Sequence, residues 1–118
     1  MAAHTVLVVE DEPDIREVVT DVLSDEGYDV VGARDGAEGL RKARACHPSV
    51  VLLDLMMPGM NGWEFCAVHH GDPELRKIPV IVVSALGRVA DLEADGFIQK
   101  PFEIDELVST VRRHVPAA

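Results

Sequence analysis

Apolar residues along the chain follow two alternating rhythms. Thr5-Val6-Leu7-Val8-Val9 is a short β-branched run without a polar break, the pattern of a strand covered on both faces. From Pro13 the period changes. Ile15, Val18, Val19, Val22 and Leu23 recur at the spacing of one helical face, with Pro in the first turn and Gly27 as the stop. Tyr28 to Ala33 reads as a second strand interrupted by Asp29, and Asp35 and Glu38 then stand at capping-box spacing before an Ala37, Leu40, Ala43 stripe. Three further apolar runs each end on a polar group: Val50 to Asp54 on a carboxylate, Pro79 to Ser84 on a hydroxyl, and Phe97 to Lys100 on an ammonium. A helix is expected around Gly62 to His70. Another follows the last strand, with Ile104, Leu107, Val108, Val111 and Val115 on one face.

Five strands alternating with helices predict an α/β fold, a doubly wound five-stranded parallel sheet. The first, third and fourth runs are apolar throughout and belong at the centre; the second and fifth carry polar residues and belong at the edges. Right-handed crossovers then make 2-1-3-4-5 the most economical order, in which ligands sit at the carboxyl ends of the strands where the order reverses. Only fifteen residues, Ala85 to Gln99, separate Ser84 from Lys100. After the Ala85-Leu86-Gly87 exit, Arg88 to Gly96 leaves room for about two helical turns, anchored by Val89, Leu92 and Ala90. The helix between the fourth and fifth strands should therefore be short or mobile, and the surface it builds unlike that of a full-length helix.

Composition narrows the class. The 118 residues fit one domain over 1–118, either standing alone or cut from a longer protein. Eleven Lys and Arg against 21 Asp and Glu give a net charge of −10, which argues against direct nucleic-acid binding. No apolar run approaches the ~20 residues of a membrane helix, and no signal peptide is visible. Cys46 and Cys66 lack metal or redox spacing, which predicts small buried or half-buried hydrophobes in a reducing, cytoplasmic compartment. His69 and His70 are adjacent, so they should not share a helix face and make a poor metal pair.

The strand ends carry the candidate chemistry. Glu10, Asp11 and Glu12 follow the first strand, and Asp54 closes the third; Ser84 closes the fourth, and Lys100 the fifth. Clustered carboxylates repel and need a compensating cation, and a few carboxylates with backbone and water oxygens suit Mg²⁺. A hydroxyl and an ammonium across from one carboxylate are what a bound phosphoryl group requires.

In these motifs the chain resembles the receiver domain of two-component response regulators, of the chemotaxis-receiver kind with a flavodoxin-like fold. The resemblance rests on Val8-Val9-Glu10-Asp11-Glu12, on Asp54 to Gly62 (Asp-Leu-Met-Met-Pro-Gly-Met-Asn-Gly), on Ser84-Ala85 and on Lys100-Pro101-Phe102, in that order along nearly the whole chain. It implies that Asp54 accepts a phosphoryl group from a histidine kinase or histidine phosphotransfer protein. It further implies that Asp11 binds Mg²⁺ directly, that Glu10 holds its waters and that Met56 offers its backbone carbonyl. Ser84 and Lys100 would contact the phosphoryl oxygens, the Lys100-Pro101 peptide would be cis, and Ser84 would form a coupled switch with Phe97. A receiver of this kind acts on itself and is no enzyme with a free substrate; its output is altered affinity for a protein partner.

Plainer roles exist for each residue. Asp54 is a possible helix cap, Glu10 and Asp11 favourable charges at a helix start, Ser84 a turn cap, Lys100 a solvated surface residue and Phe97 edge packing. A flavin-binding carrier on the same fold is disfavoured by Glu10-Asp11-Glu12, which would repel a phosphate. A haloacid-type phosphohydrolase would need paired aspartates two apart after the first strand. A pseudo-receiver scaffold would have lost Asp54, Asp11 or Lys100, and all three are present.

Overall fold

A computed structural model describes residues 4–86, 88, 89 and 91–115. Its elements run β1 (Thr5–Val9), α1 (Pro13–Asp25), β2 (Asp29–Ala33), α2 (Gly36–Cys46), β3 (Val50–Asp54), α3 (Gly62–Gly71), β4 (Val80–Ser84), β5 (Gly96–Gln99) and α4 (Ile104–His114). The strands form one parallel sheet in the order β2-β1-β3-β4-β5, as the sequence pattern requires. Alternation divides the apolar strands between two cores. Leu7, Val9, Val51, Leu53, Val80 and Val82 face Leu40 and Ala43 of α2 and Phe65 and Cys66 of α3. Val6, Val8, Val50, Leu52, Ile81 and Val83 face Val19 and Leu23 of α1 and Leu107 and Val111 of α4.

The helix ends explain themselves chemically. Pro13 opens α1, where a missing N–H costs nothing. At its far end, Gly27 N–H donates to Ser24 C=O and Tyr28 N–H to Leu23 C=O, both at 3.1 Å. Gly27 adopts a φ of 97°, the positive value this stop needs. Asp35 caps α2 by accepting from Glu38 N–H at 2.8 Å, while the Glu38 carboxylate accepts from Arg34 N–H, one residue before the reciprocal capping-box partner. A complete capping box, Asn61 with Glu64, starts α3.

Three expectations change. Val18 is 50% exposed and Ile104 53% exposed; the apolar stripes of α1 and α4 are wider than the sheet contact each helix makes, so their outer members stay in solvent. Cys46, the last residue of α2, is exposed rather than buried, whereas Cys66 is buried and its thiol is pushed up to about 11 by that burial. His69 and His70 do meet: their Nδ1 atoms lie 3.0 Å apart, because rings on neighbouring residues bend together even where their Cβ atoms diverge. His70 Nε2 lies 3.0 Å from Glu93 C=O, an acceptor only, so Nε2 carries the proton. The Nδ1 contact joins the two rings, and His69 Nε2 is buried without a hydrogen-bond partner among the described residues.

The connection between β4 and β5 contains no helix among its described residues. The expected shortening is carried to the point of turns, with Leu92 N–H on Val89 C=O at 3.2 Å. Val89 and Leu92 pack, partly buried, against the α2–α3 core as anticipated; Gly87 and Ala90 lie outside the described residues, as do 116–118. Asp95 ties the connection to β4 twice, donating its N–H to Val80 C=O and accepting from Val80 N–H through its carboxylate, each at 2.8 Å.

Candidate functional site

The carboxyl ends of β1, β3, β4 and β5 converge on one crevice. Glu10, one residue past β1, is 4% exposed, and Asp54 at the end of β3 is 5% exposed. Each is there because an apolar strand runs out beside it and the sheet fixes the level at which it does so. Asp11 is half-buried beside them, and one carboxylate oxygen from each of Glu10, Asp11 and Asp54 lies within 4.8 Å of the others. Glu12 stays outside this group: it is exposed, forms the N-cap of α1, and donates its N–H to Glu10 Oε2 at 3.3 Å.

Lys100 reaches into the crevice from the end of β5. Its Nζ donates to Glu10 Oε1 at 2.6 Å and stands 3.6 Å from Asp54 Oδ2. The peptide from Lys100 to Pro101 is cis, as the resemblance implied. Ser84, fully buried at the end of β4, accepts from Leu86 N–H at 3.1 Å through Oγ. The turn-cap role is therefore real, and it leaves the hydroxyl proton free to donate elsewhere. The Met56 side chain is 62% exposed, and its N–H donates to Asp54 Oδ1 at 3.2 Å. Phe97 is half-buried on the face opposite α4, with the Arg88 guanidinium 5.5 Å from its ring centroid.

Burial and charge crowding set the electrostatics. The Glu10 carboxyl is pushed up to about 7 by burial and by Asp54, against the opposing pull of Lys100. Burial also raises Asp54, although the hydrogen bonds it receives and the Lys100 charge work the other way. Burial alone would lower Lys100, but its bond to Glu10 and the charges of Glu10 and Asp54 leave the ammonium above its ordinary value. Two buried carboxyls held this close favour a cation between them. The oxygen set, with a half-exposed Asp11 leaving access for water, suits a hard divalent ion such as Mg²⁺.

Two features of the site had no distinctive sequence signal. Arg16 donates Nη1 to the Glu10 carbonyl at 2.7 Å, yet in the sequence it is an ordinary arginine on an amphipathic helix. An apolar recess formed by Ile15, Val18, Pro101, Phe102 and Ile104 borders Lys100, where helix-stripe residues that overrun their buried faces meet the loop after β5.

Comparison with known proteins agrees with the geometry. Residues 6–112 match the response regulator receiver domain family. The DNA-binding response regulator MtrA of Mycolicibacterium smegmatis is 39% identical over 113 residues, covering 91% of this chain and 48% of that protein. The probable transcriptional regulator ycf27 of Cyanophora paradoxa is 43% identical over 116 residues, covering 91% of this chain and 46% of its own length. The chain thus spans about half the length of the curated relatives it matches. Among solved structures, the chemotaxis protein CheY4 of Vibrio cholerae superposes with a TM-score of 0.87 at 30% identity, covering 97% of this chain and all of that one. The response regulator TrrA of Thermotoga maritima, solved in complex with Mg²⁺ and BeF, gives 0.83 at 32% identity over 95% of this chain and 99% of its own. Strand order, the crevice and these matches lead to one assignment: the chain belongs to the response regulator receiver domain family of two-component systems.

Proposed function

We propose that this receiver accepts a phosphoryl group on the Asp54 carboxylate from a phosphohistidine of a sensor kinase or phosphotransfer protein, and that the acyl phosphate changes its affinity for a protein partner. One observation carries the reading: Asp54 shares one acidic cluster with Glu10 and Asp11, and the Lys100 ammonium enters that cluster, bonded to Glu10 and 3.6 Å from Asp54, while buried Ser84 ends the adjacent strand. An Asp54 oxygen forms the new bond to phosphorus, the bond from phosphorus to imidazole breaks, and the leaving imidazole nitrogen takes up a proton from solvent. Glu10, Asp11 and Asp54, with the Met56 carbonyl, would hold Mg²⁺, which when bound offsets phosphoryl charge. Lys100, bonded to Glu10 and 3.6 Å from Asp54, supplies positive charge, and the Ser84 hydroxyl is free to donate to a phosphoryl oxygen.

The domain catalyses only its own modification and turns over no free substrate. The unpaired Cys46 and Cys66 fit a reducing, cytoplasmic setting. No described helix is long and apolar enough to cross a membrane. In a regulator of the relatives' full length, DNA contact would belong to the remaining chain and be governed by this acidic receiver, whose own charge of −10 opposes such contact.

The test is incubation with acetyl phosphate and Mg²⁺, followed by intact mass measurement. A single phosphoryl adduct is expected, lost in Asp54→Asn and in EDTA. An adduct that persists in either arm overturns the assignment of Asp54 or of its metal, and no adduct in the native protein leaves a phosphorylation-independent scaffold.

A further inference from the structure

Arg16 sits in the first turn of α1, yet its side chain runs back past the start of its own helix. Its N–H makes the first helical bond, to Glu12 C=O at 3.0 Å, while Nη1 donates to Glu10 C=O at 2.7 Å. That carbonyl belongs to the peptide joining Glu10 to Asp11, the two acidic residues that follow β1. The preceding peptide is held as well, because Glu10 N–H donates to Ala33 C=O of the edge strand at 2.9 Å. Past this bond the strand pairing of β1 ends. Among the described contacts the Arg16 guanidinium is the group that holds the next carbonyl.

The arginine stem passes close over a residue that has no side chain. A Cβ at Gly32 of β2 would stand 3.2 Å from Arg16 Cδ and 3.6 Å from Cγ. The bare backbone at Gly32 thus lets the stem cross the sheet edge and reach Glu10. No ion pair involving Arg16 occurs among the described residues, so its charge is directed at a carbonyl.

We infer that Arg16 is a positioning residue for the acidic cluster. It fixes the plane of the Glu10–Asp11 peptide, and with it the direction of the Asp11 carboxylate, through a stem that Gly32 accommodates. The inference rests on the reading of that cluster as a divalent-cation site. It also makes a prediction of distinctive sign. By charge alone, removing a cation beside clustered carboxylates should tighten binding of a divalent ion; by positioning, it should weaken it.

The experiment measures Mn²⁺ dissociation constants by electron paramagnetic resonance for the native protein, Arg16→Met, Arg16→Lys, Gly32→Ala, the Arg16→Met/Gly32→Ala double variant and Asp11→Ala. Urea midpoints are recorded alongside, as is amide exchange at Glu10 in cation-free protein. Arg16→Met should weaken Mn²⁺ about tenfold, the scale of a lost partner behind a metal ligand, and speed exchange of the Glu10 amide, which is bonded to Ala33 C=O, with little change in midpoint. Arg16→Lys should recover part of the affinity. Gly32→Ala should weaken Mn²⁺ when Arg16 is present and add nothing when it is Met. Affinity unchanged or tighter in Arg16→Met, or a Gly32→Ala effect that persists without Arg16, overturns the inference while Asp11→Ala still loses Mn²⁺. A native protein that fails to bind Mn²⁺, or an Asp11→Ala variant that binds it normally, overturns the cation-site reading itself.

Discussion

Gly62 opens α3 where the helix start presses on the backbone that follows Asp54. A Cβ there would fall 2.5 Å from Leu55 Cδ2, 2.6 Å from Leu55 Cα and 3.1 Å from Asp54 C=O. A side-chain tip can swing away from such a contact; a Cα and a carbonyl cannot. Gly62→Ala must therefore push α3 away from β3 and stretch the Gly62 N–H bond to Leu55 C=O, now 2.9 Å. Overpacking of this kind costs about 1–3 kcal/mol. The better helix propensity of Ala returns at most ~1 kcal/mol in a helix interior and less at its first residue. The net expectation is a loss of about 1–2 kcal/mol, a drop in Tm of roughly 4–10 °C for a domain of this size, with slower phosphorylation by acetyl phosphate because Leu55 adjoins Asp54. Gly71, at the other end of the same helix, provides the control. Nothing lies within 4 Å of its would-be Cβ, so Gly71→Ala should be neutral or stabilising by up to ~1 kcal/mol. Urea and thermal unfolding of both variants decide the matter. If Gly62→Ala unfolds at or above the midpoint of Gly71→Ala, the close-approach reasoning is wrong.

Further outcomes follow from other sites. Burial, then the neighbouring His70, lowers the pKa of His69, while Asp95 and Asp72 pull the other way. The unfolded chain thus binds the proton more readily, and this residue's contribution to stability is full above about 6.5 and falls as the pH drops below it. Glu10, raised to about 7, acts in the opposite sense, favouring the fold as pH falls from about 7. The difference between native protein and His69→Leu isolates the histidine: the variant should lose less stability between pH 7 and pH 5.5, and equal losses would refute the assignment. Met56 and Leu86, 62% and 55% exposed at the crevice mouth, offer no polar group to orient an attacking water. The acyl phosphate should accordingly outlive that of Met56→Asn and Leu86→Glu, and unchanged decay in both would sink the idea. Amides 91–94, which lack helical bonding, should exchange faster than those of α3; equal protection would count against the absence of a helix there.

The sheet was open to sequence reasoning because its strands announce themselves twice. They are continuous apolar runs of Val, Leu and Ile, and each central one ends abruptly on a group that core packing would reject. The same endings revealed the site, since Glu10, Asp54, Ser84 and Lys100 stand at strand ends that parallel topology must bring level. What stayed hidden depends on three-dimensional reach rather than local pattern. Val18 matches the helical stripe as well as Val19 does, and only the neighbouring helix decides that one is buried and the other exposed. Arg16 has the composition of any surface arginine; its path back to Glu10 requires knowing that β2 places a glycine beneath it. The Asn61–Glu64 capping box was present as a spacing, overshadowed by the chemistry of the loop before it. The meeting of His69 and His70 rests on ring angles that residue spacing does not encode.

The two-faced burial of the central strands raises a problem of alignment that the crevice itself resolves. A strand with one wet face is penalised when it slides by one residue, because every side chain changes sides. Val50 to Leu53 and Val80 to Val83 have no such wrong side, for both faces are equally greasy. Sliding β3 one step along β1 and β4 would exchange valines for leucines at small cost, but it would also drag Asp54 below the rim and into hydrocarbon. An unpaired carboxylate there costs several kcal/mol. Glu10 and Lys100 act likewise as stops on β1 and β5, and Asp95 clamps the opposite end of β4. The ionised groups are thus also the indexing marks of the sheet, and a chain stripped of them would lose the ruler that sets its strands in step.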